Sequence, residues 1–271
     1  MRFLDVLVYV VALGAVLLVL FASDSGQDAP PPMLPEEEGP LLPPSSVFDE
    51  QILIQVESPK DGLGTAFAVN TKGQWVTARH VVDGCESVSL LVGPGQYVPV
   101  EKVTVDPNRD LALITTGRSP STVSLNLDAP LRKGARGYHV GYPQGRPGEV
   151  AATLLSRSKL VSRGLRNGQE PVLAWAEIGR TRGLMGSLGG ISGGPVFDAS
   201  GSVLGVIVAE SPRRGRIYTT TPVALGSFLE SNGVQVEKGE QLAFDVKNYG
   251  PQSDKARRKL QVVKVACRVS E

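Results

Sequence analysis

Gly190-Ile191-Ser192-Gly193-Gly194-Pro195 is the stretch that decides how this chain is read. A serine hydroxyl is a weak nucleophile and needs an exposed turn, a base and backbone donors close by. Glycines on both sides let the chain turn sharply around Ser192. Gly190 also lets its N–H point, together with that of Ser192, at one spot, which is the requirement for an oxyanion hole. A glycine-rich turn with an incidental serine would look the same locally, so the other residues of such a site must be found elsewhere.

The chain holds two histidines, His80 and His139, and both precede Ser192. This excludes the nucleophile elbow of α/β-hydrolases, which orders serine, acid, histidine. An order of acid, histidine, serine is open if Asp61 is the acid, but it belongs to a helix-rich sheet. Thr77-Ala78-Arg79-His80-Val81-Val82 ends a strand and enters a short turn. A catalytic histidine there needs one ring nitrogen on the serine and the other on a buried carboxylate. His139, in Tyr138-His139-Val140-Gly141-Tyr142-Pro143, reads as a strand histidine. In Asp106-Pro107-Asn108-Arg109-Asp110-Leu111, Asp110 stands directly before an apolar strand, a natural place for a buried acid. Asp106, in the proline turn, reads as solvated. The candidate constellation is therefore His80, Asp110, Ser192 in chain order.

The surrounding pattern is β. Short β-branched runs recur between turn signals from Ile52–Val56 to Ile217–Thr221, and 31 glycines and 20 prolines in 271 residues suit strands joined by tight turns. Helical signals gather at Pro222–Ser231, where Thr221 can cap and Gly233 can stop the helix. About a dozen short strands predict antiparallel barrels, with a break near Asp128–Lys133.

Val6 to Ala22 is 17 residues long and apolar apart from Gly14. That suits a spanning signal anchor better than a cleaved signal. With Arg2 as the one basic residue before it and only acids in the linker after it, the rest of the chain is expected outside the cytoplasm. Ser23–Ser46 carries seven prolines and five acids, an extended tether. Residues 1–46 hold one basic and six acidic residues, which leaves 27 basic and 21 acidic for the remainder. A net charge of +1 overall argues against a general nucleic-acid binder.

These boxes resemble chymotrypsin-fold serine peptidases, closest to the bacterial HtrA/Deg-like branch. The residues around His80 resemble its histidine box, Asp110-Leu111-Ala112-Leu113 its aspartate box, and Ser192-Gly193-Gly194-Pro195 its serine box. Gly141-Tyr142-Pro143 resembles the segment opening the second barrel, and Gly201 and Gly205 resemble glycines that follow the serine. The resemblance implies an all-β fold of two six-stranded antiparallel barrels with the triad in the cleft between them. The expected organisation is a transmembrane helix at 1–22, a linker at 23–46 and a protease domain at 47–233. That domain has barrels at about 47–130 and 131–221, a short C-terminal helix, and a C-terminal extension at 234–271. The branch usually carries PDZ domains after the protease; the stretch after Gly233 is too short for one. It also usually has Asn where Ile191 stands and a charged residue where Gly189 stands.

The activity so implied is a membrane-anchored, periplasmic serine endopeptidase that hydrolyses peptide bonds through an acyl-enzyme. Its partners are a polypeptide substrate and the membrane, with no metal, organic cofactor or nucleic acid. The alternative is a catalytically silent scaffold on the same fold. By resemblance, the base of the primary specificity pocket is Gly186 and its wall includes Val208 and Ala209, which predicts cleavage after small or medium apolar residues. Glu210, next along, is within reach of the pocket mouth. Four glycines within Gly183–Gly190 either only fit tight turns or mark a loop that is mobile, or an oxyanion hole that is incompletely formed, until substrate or a partner orders it. Cys85 and Cys267, if outside the cytoplasm, either pair or stay as two buried apolar thiols.

Overall fold

A computed structural model of the chain describes residues 39–270. The expected membrane span and most of the linker lie outside the described residues. Among those described, no helix is long and apolar enough to cross a membrane.

The described residues form fifteen strands in chain order. They are β1 (Glu50–Val56), β2 (Gly62–Ala68), β3 (Gln74–Thr77), β4 (Ser87–Gly93), β5 (Gln96–Pro99), β6 (Lys102–Val105), β7 (Ala112–Thr115) and β8 (Ser124–Leu125). Then come β9 (Arg136–Gly141), β10 (Gly148–Gly164), β11 (Gly168–Arg180), β12 (Pro195–Phe197), β13 (Ser202–Ser211), β14 (Arg216–Thr220) and β15 (Val262–Arg268). Among the described residues three α-helices interrupt them: α1 (Arg79–Val82), α2 (Pro222–Ser231) and α3 (Tyr249–Arg258). The chain is mostly β with few helices, in keeping with a chymotrypsin-like all-β fold.

The first sheet has seven strands in the order β5-β4-β15-β2-β3-β7-β6. The second has eight, β1-β10-β11-β14-β13-β12-β9 with β8 beside β13, and β9 also pairs with β10. That last pairing closes β9 to β14 into a ring of six antiparallel strands, with β1 and β8 attached in parallel.

Strand membership departs from the expected halves at both ends of the domain. β1 does not join the first sheet. It runs parallel to the second half of β10, Glu50 opposite Ser158 through Val56 opposite Gly164. The reason is the length of β10. Its 17 residues overhang β9, which covers only Gly148–Thr153, so one edge is left with unpaired backbone groups that β1 satisfies. Conversely β15, from the stretch read as an extension, lies inside the first sheet between β2 and β4. Residues 234–270 are therefore part of the fold. Leu242, Phe244 and Tyr249 are buried, and Phe244 stacks on Tyr138 and Phe197 at centroid distances of 5.3 and 5.0 Å.

Two apolar cores result. The larger includes Phe67, Trp75, Leu111, Tyr138, Phe197 and Phe228; the smaller gathers Leu154, Trp175, Leu204 and Ile217 inside the ring. α2 forms as its signals predict. The Thr221 hydroxyl accepts from the Ala224 N–H, Pro222 opens the first turn, and Gly233 (φ 64°) turns the chain out.

One buried ion pair fastens α3 to the ring. Arg257 Nη2 lies 2.6 Å from Glu149 Oε2 on β10, and Nη1 donates to the Gly141 and Gly148 carbonyls. Both side chains are under one-tenth exposed. Cys85 and Cys267 are joined as a disulfide with a Cα separation of 5.5 Å, which ties β15 to the turn after α1.

Candidate active site

β3 ends at Thr77, and α1 carries His80 away from it; Val81 and Val82 on the other side of this single turn are buried. The loop 106–110 then brings in the acid. Asp106 closes that loop, its Oδ1 accepting the Asn108 and Arg109 N–H groups. Asp106 is 7% exposed, so it is buried where the sequence suggested solvent. The turn directs Asp110 at α1. Asp110 Oδ1 accepts the His80 backbone N–H at 2.9 Å, and Oδ2 lies 2.6 Å from His80 Nδ1. The acid is 2% exposed and the imidazole 40% exposed, so the second ring nitrogen is free to face the cleft.

Electrostatics follow from this contact. Burial alone would raise the Asp110 pKa, but the nearby imidazole, the two His80 hydrogen bonds and Arg166 outweigh it and hold the carboxyl below its usual range. Partial burial alone would lower the His80 pKa; the charge and hydrogen bond of Asp110 reverse this and raise it above 6.5.

The serine turn is docked on the first sheet by Thr65. Thr65 N–H donates to the Ser192 carbonyl at 2.8 Å and Thr65 Oγ1 donates to the Gly190 carbonyl at 2.8 Å. The Thr65 carbonyl in turn accepts from Thr77 Oγ1, so serine turn and histidine strand share one residue. Gly193 (φ 84°) shows why a side chain is excluded there: a Cβ would stand 2.2 Å from the Thr65 carbonyl and 2.2 Å from Thr77 Oγ1. Gly190 (φ 98°) is bound likewise, with a Cβ falling 2.6 Å from the Tyr142 carbonyl.

Both proposed oxyanion donors are unused: neither the Gly190 nor the Ser192 N–H donates to another described group. The Gly189 carbonyl accepts from the Gln144 N–H at 2.6 Å. Since that peptide is trans, the Gly190 N–H points to the opposite side. Ser192 Oγ makes no hydrogen bond, to His80 or to any other described residue.

The stretch Gly183–Gly190 is more fastened than its glycines predict. Gln144 Nε2 donates to the Met185 and Ser187 carbonyls, and Arg180 Nη1 to that of Gly186. The Glu210 carboxylate accepts the Leu188 N–H and the Ser187 hydroxyl. Side chains from outside the segment supply the order that its own backbone lacks.

A cleft of about 620 Å³ adjoins His80 and Asp110. Val208, Ala209 and Glu210 line it, together with Ile54–Lys60, Leu165 and Arg166. Gly186 does not line it and has open space where a side chain would be. His139 instead sits on β9, opposite Val196 of β12. It is fully buried on β9 with its ring edge-on to Trp175 at 5.3 Å, and burial drives its pKa down to about 3. Asp61 accepts the Val269 N–H, pinning the end of β15. Among the described residues no cluster of acids, histidines and cysteines could hold a metal.

Sequence reasoning did not find Thr65, Gln144, Glu170 or Arg166. None has a local signature: Gln144 takes a left-handed conformation (φ 53°) that glycine or asparagine would more commonly announce.

A family model described as a trypsin-like peptidase domain matches residues 64–206. A probable periplasmic serine endoprotease DegP-like of Bartonella henselae is 28% identical over 180 residues, covering 65% of this chain and 34% of that protein. One of the same description from Ectopseudomonas mendocina is 26% identical over 225 residues, covering 80% and 44%. The chain thus spans less than half the length of these curated relatives. Among solved structures, the active form of the Rv3671c protease from M. tuberculosis superposes with a TM-score of 0.53 at 17% identity, covering 76% of this chain and 98% of that one. The HtrA-type protease AlgW bound to a decapeptide gives 0.50 at 18% identity, covering 62% and 50%.

Proposed function

We propose, since the chain belongs to the trypsin-like peptidase family, that it is a serine endopeptidase acting through His80, Asp110 and Ser192. The observation that carries this reading is the double grip of Asp110 on His80, at 2.9 and 2.6 Å, beside a serine turn with two unused N–H donors. His80 takes the Ser192 proton as Oγ attacks the scissile carbonyl. Asp110 holds the imidazole tautomer and stabilises the imidazolium. The Gly190 and Ser192 N–H groups receive the developing oxyanion, each such donor contributing roughly 3–4 kcal/mol. His80 returns the proton to the leaving amine, and water releases the acyl-enzyme. No cofactor enters these steps.

Glu210 bears on specificity. Its carboxylate accepts the Leu188 N–H and the Ser187 hydroxyl, so it braces the loop while lining the cleft. The apolar side chains of Val208 and Ala209 in the same lining support cleavage after small or medium apolar residues. Tethering outside the cytoplasm through Val6–Ala22 is supported by the apolar stretch itself and by the periplasmic description of the relatives.

One observation favours the silent scaffold, the absence of a Ser192–His80 hydrogen bond. Such bonds are often long or misaligned before substrate arrives, so the enzyme reading stands. A fluorophosphonate probe separates the two: the enzyme labels at Ser192 and loses labelling in His80→Ala, whereas a scaffold does not label.

A further inference from the structure

The β10–β11 hairpin of the second sheet reaches across to the back of the triad acid, and the mechanism above uses none of its residues. Glu170 on β11 is 6% exposed, and its Oε1 accepts the Asp110 backbone N–H at 2.9 Å. The other oxygen, Oε2, is buried without a partner. Arg166, between the two strands, places Nη2 3.9 Å from Asp110 Oδ1, while its Nη1 is also buried and unpartnered. A cavity of about 120 Å³ lies against both side chains, polar and large enough for water.

This arrangement is unusual for a residue that only supports the fold. Two carboxyl groups meet through one backbone amide, in a site where an unpaired buried polar atom is costly. We propose that Glu170 is a positioning residue for Asp110, and that gain or loss of its proton changes the charge felt by His80. The proposal rests on the reading of His80 and Asp110 as parts of a triad.

The geometry supplies both halves. The Asp110 N–H is held from outside its own loop, which fixes the carboxylate that orients the imidazole. The groups facing Glu170 are Asp110 and Asp106 on the loop before β7, with Arg109 paired to Asp106, and Arg166 on its own hairpin. His80 lies beyond Asp110. Burial first, and the Asp110 charge second, push the Glu170 pKa up to about 8. Glu170 is therefore neutral at pH 7 and ionises in the mildly alkaline range. There it places a second negative charge behind Asp110, offsets Arg166 and favours the imidazolium that forms in the transition state.

The test follows the His80 ring by NMR on histidine-labelled protein between pH 5 and 10. Only two histidines are present, and His139, with a pKa of about 3, is silent in this range. Wild type should show the His80 titration and a second inflection near pH 8. Glu170→Gln keeps the acceptor for the Asp110 N–H and cannot ionise, so the second inflection should vanish with the fold intact. In hydrolysis, wild-type kcat/KM should rise again across pH 8, and that of Glu170→Gln should not. Glu170→Ala should lower kcat by about tenfold to a hundredfold with KM little changed, the scale expected for a misplaced catalytic group. A second inflection that survives in Glu170→Gln would overturn the proposal, as would an unchanged kcat in Glu170→Ala. The NMR readout needs no turnover. Full hydrolysis by Ser192→Ala would therefore refute the peptidase reading without touching the titration, and the two failures are distinguishable.

Discussion

Replacing Cys85 and Cys267 together with serine, or reducing the bridge, should remove a large share of this domain's stability. The bond joins residues 182 apart, so it excludes a wide set of unfolded conformations. The chain-entropy relation gives about 5 kcal/mol at 25 °C for a loop of this length, an upper figure because native strain and residual unfolded structure subtract from it. Whole domains are stable by only about 5–15 kcal/mol. What remains after reduction is the ladder of β15 with β2 and β4, from Val262 opposite Phe67 to Arg268 opposite Ser87. β15 is central in its sheet, so the strand should stay paired and the reduced domain should fold with a lowered denaturation midpoint. Local effects should centre on His80, since Cys85 lies on the turn that leaves α1. The assay is urea unfolding of the described domain, oxidised and reduced, at matched pH. A loss of about 2–5 kcal/mol with an unchanged native spectrum is expected. A difference below about 0.5 kcal/mol would refute the reasoning, because β15 would then be held equally well without the bridge.

Four further outcomes rest on the same geometry. The folded His80 pKa is raised, so the imidazole stays protonated, and unable to act as base, to a higher pH than free histidine. Activity should therefore rise with pH through a midpoint above 6.5, and a kcat/KM profile with a midpoint well below that value would contradict the Asp110 contact. Arg257→Ala should strand Glu149 in the interior and cost about 3–5 kcal/mol in unfolding free energy; a change under 1 kcal/mol would mean that α3 is not held by this pair. A peptide library should show preference for small or medium apolar residues before the cleaved bond, and Glu210→Ala should raise hydrogen exchange at Leu188, whose N–H Glu210 accepts. Strict cleavage after arginine would defeat that assignment.

How much of this was legible in the sequence differs by residue. His80, Asp110 and Ser192 were readable as candidates because each sits in a local pattern with its own constraint: a turn after a strand, an acid before an apolar run, a serine flanked by glycines that the Thr65 and Thr77 contacts require. α2 was readable for the same reason, its cap and stop lying within a few residues. Partners chosen by long-range pairing were not. Glu170 meets Asp110 across 60 residues of sequence and has no pattern that marks it. The exchange of β1 and β15 between the sheets depends on the overhang of β10 and on an open position between β2 and β4, neither of which is a property of one strand. The fastening of loop 183–190 was hidden for a related reason. Its glycines are local, but Gln144, Arg180 and Glu210 hold it from elsewhere.

The central claim is that His80 and Asp110 activate Ser192 as a nucleophile. The most direct measurement is mass spectrometry of the intact domain after exposure to a fluorophosphonate. The account predicts a single adduct on Ser192, formed in wild type and absent in Ser192→Ala and His80→Ala, with His139→Ala still labelling wherever it folds. No adduct on folded wild-type protein, or an adduct that persists in His80→Ala at the wild-type rate, would contradict it.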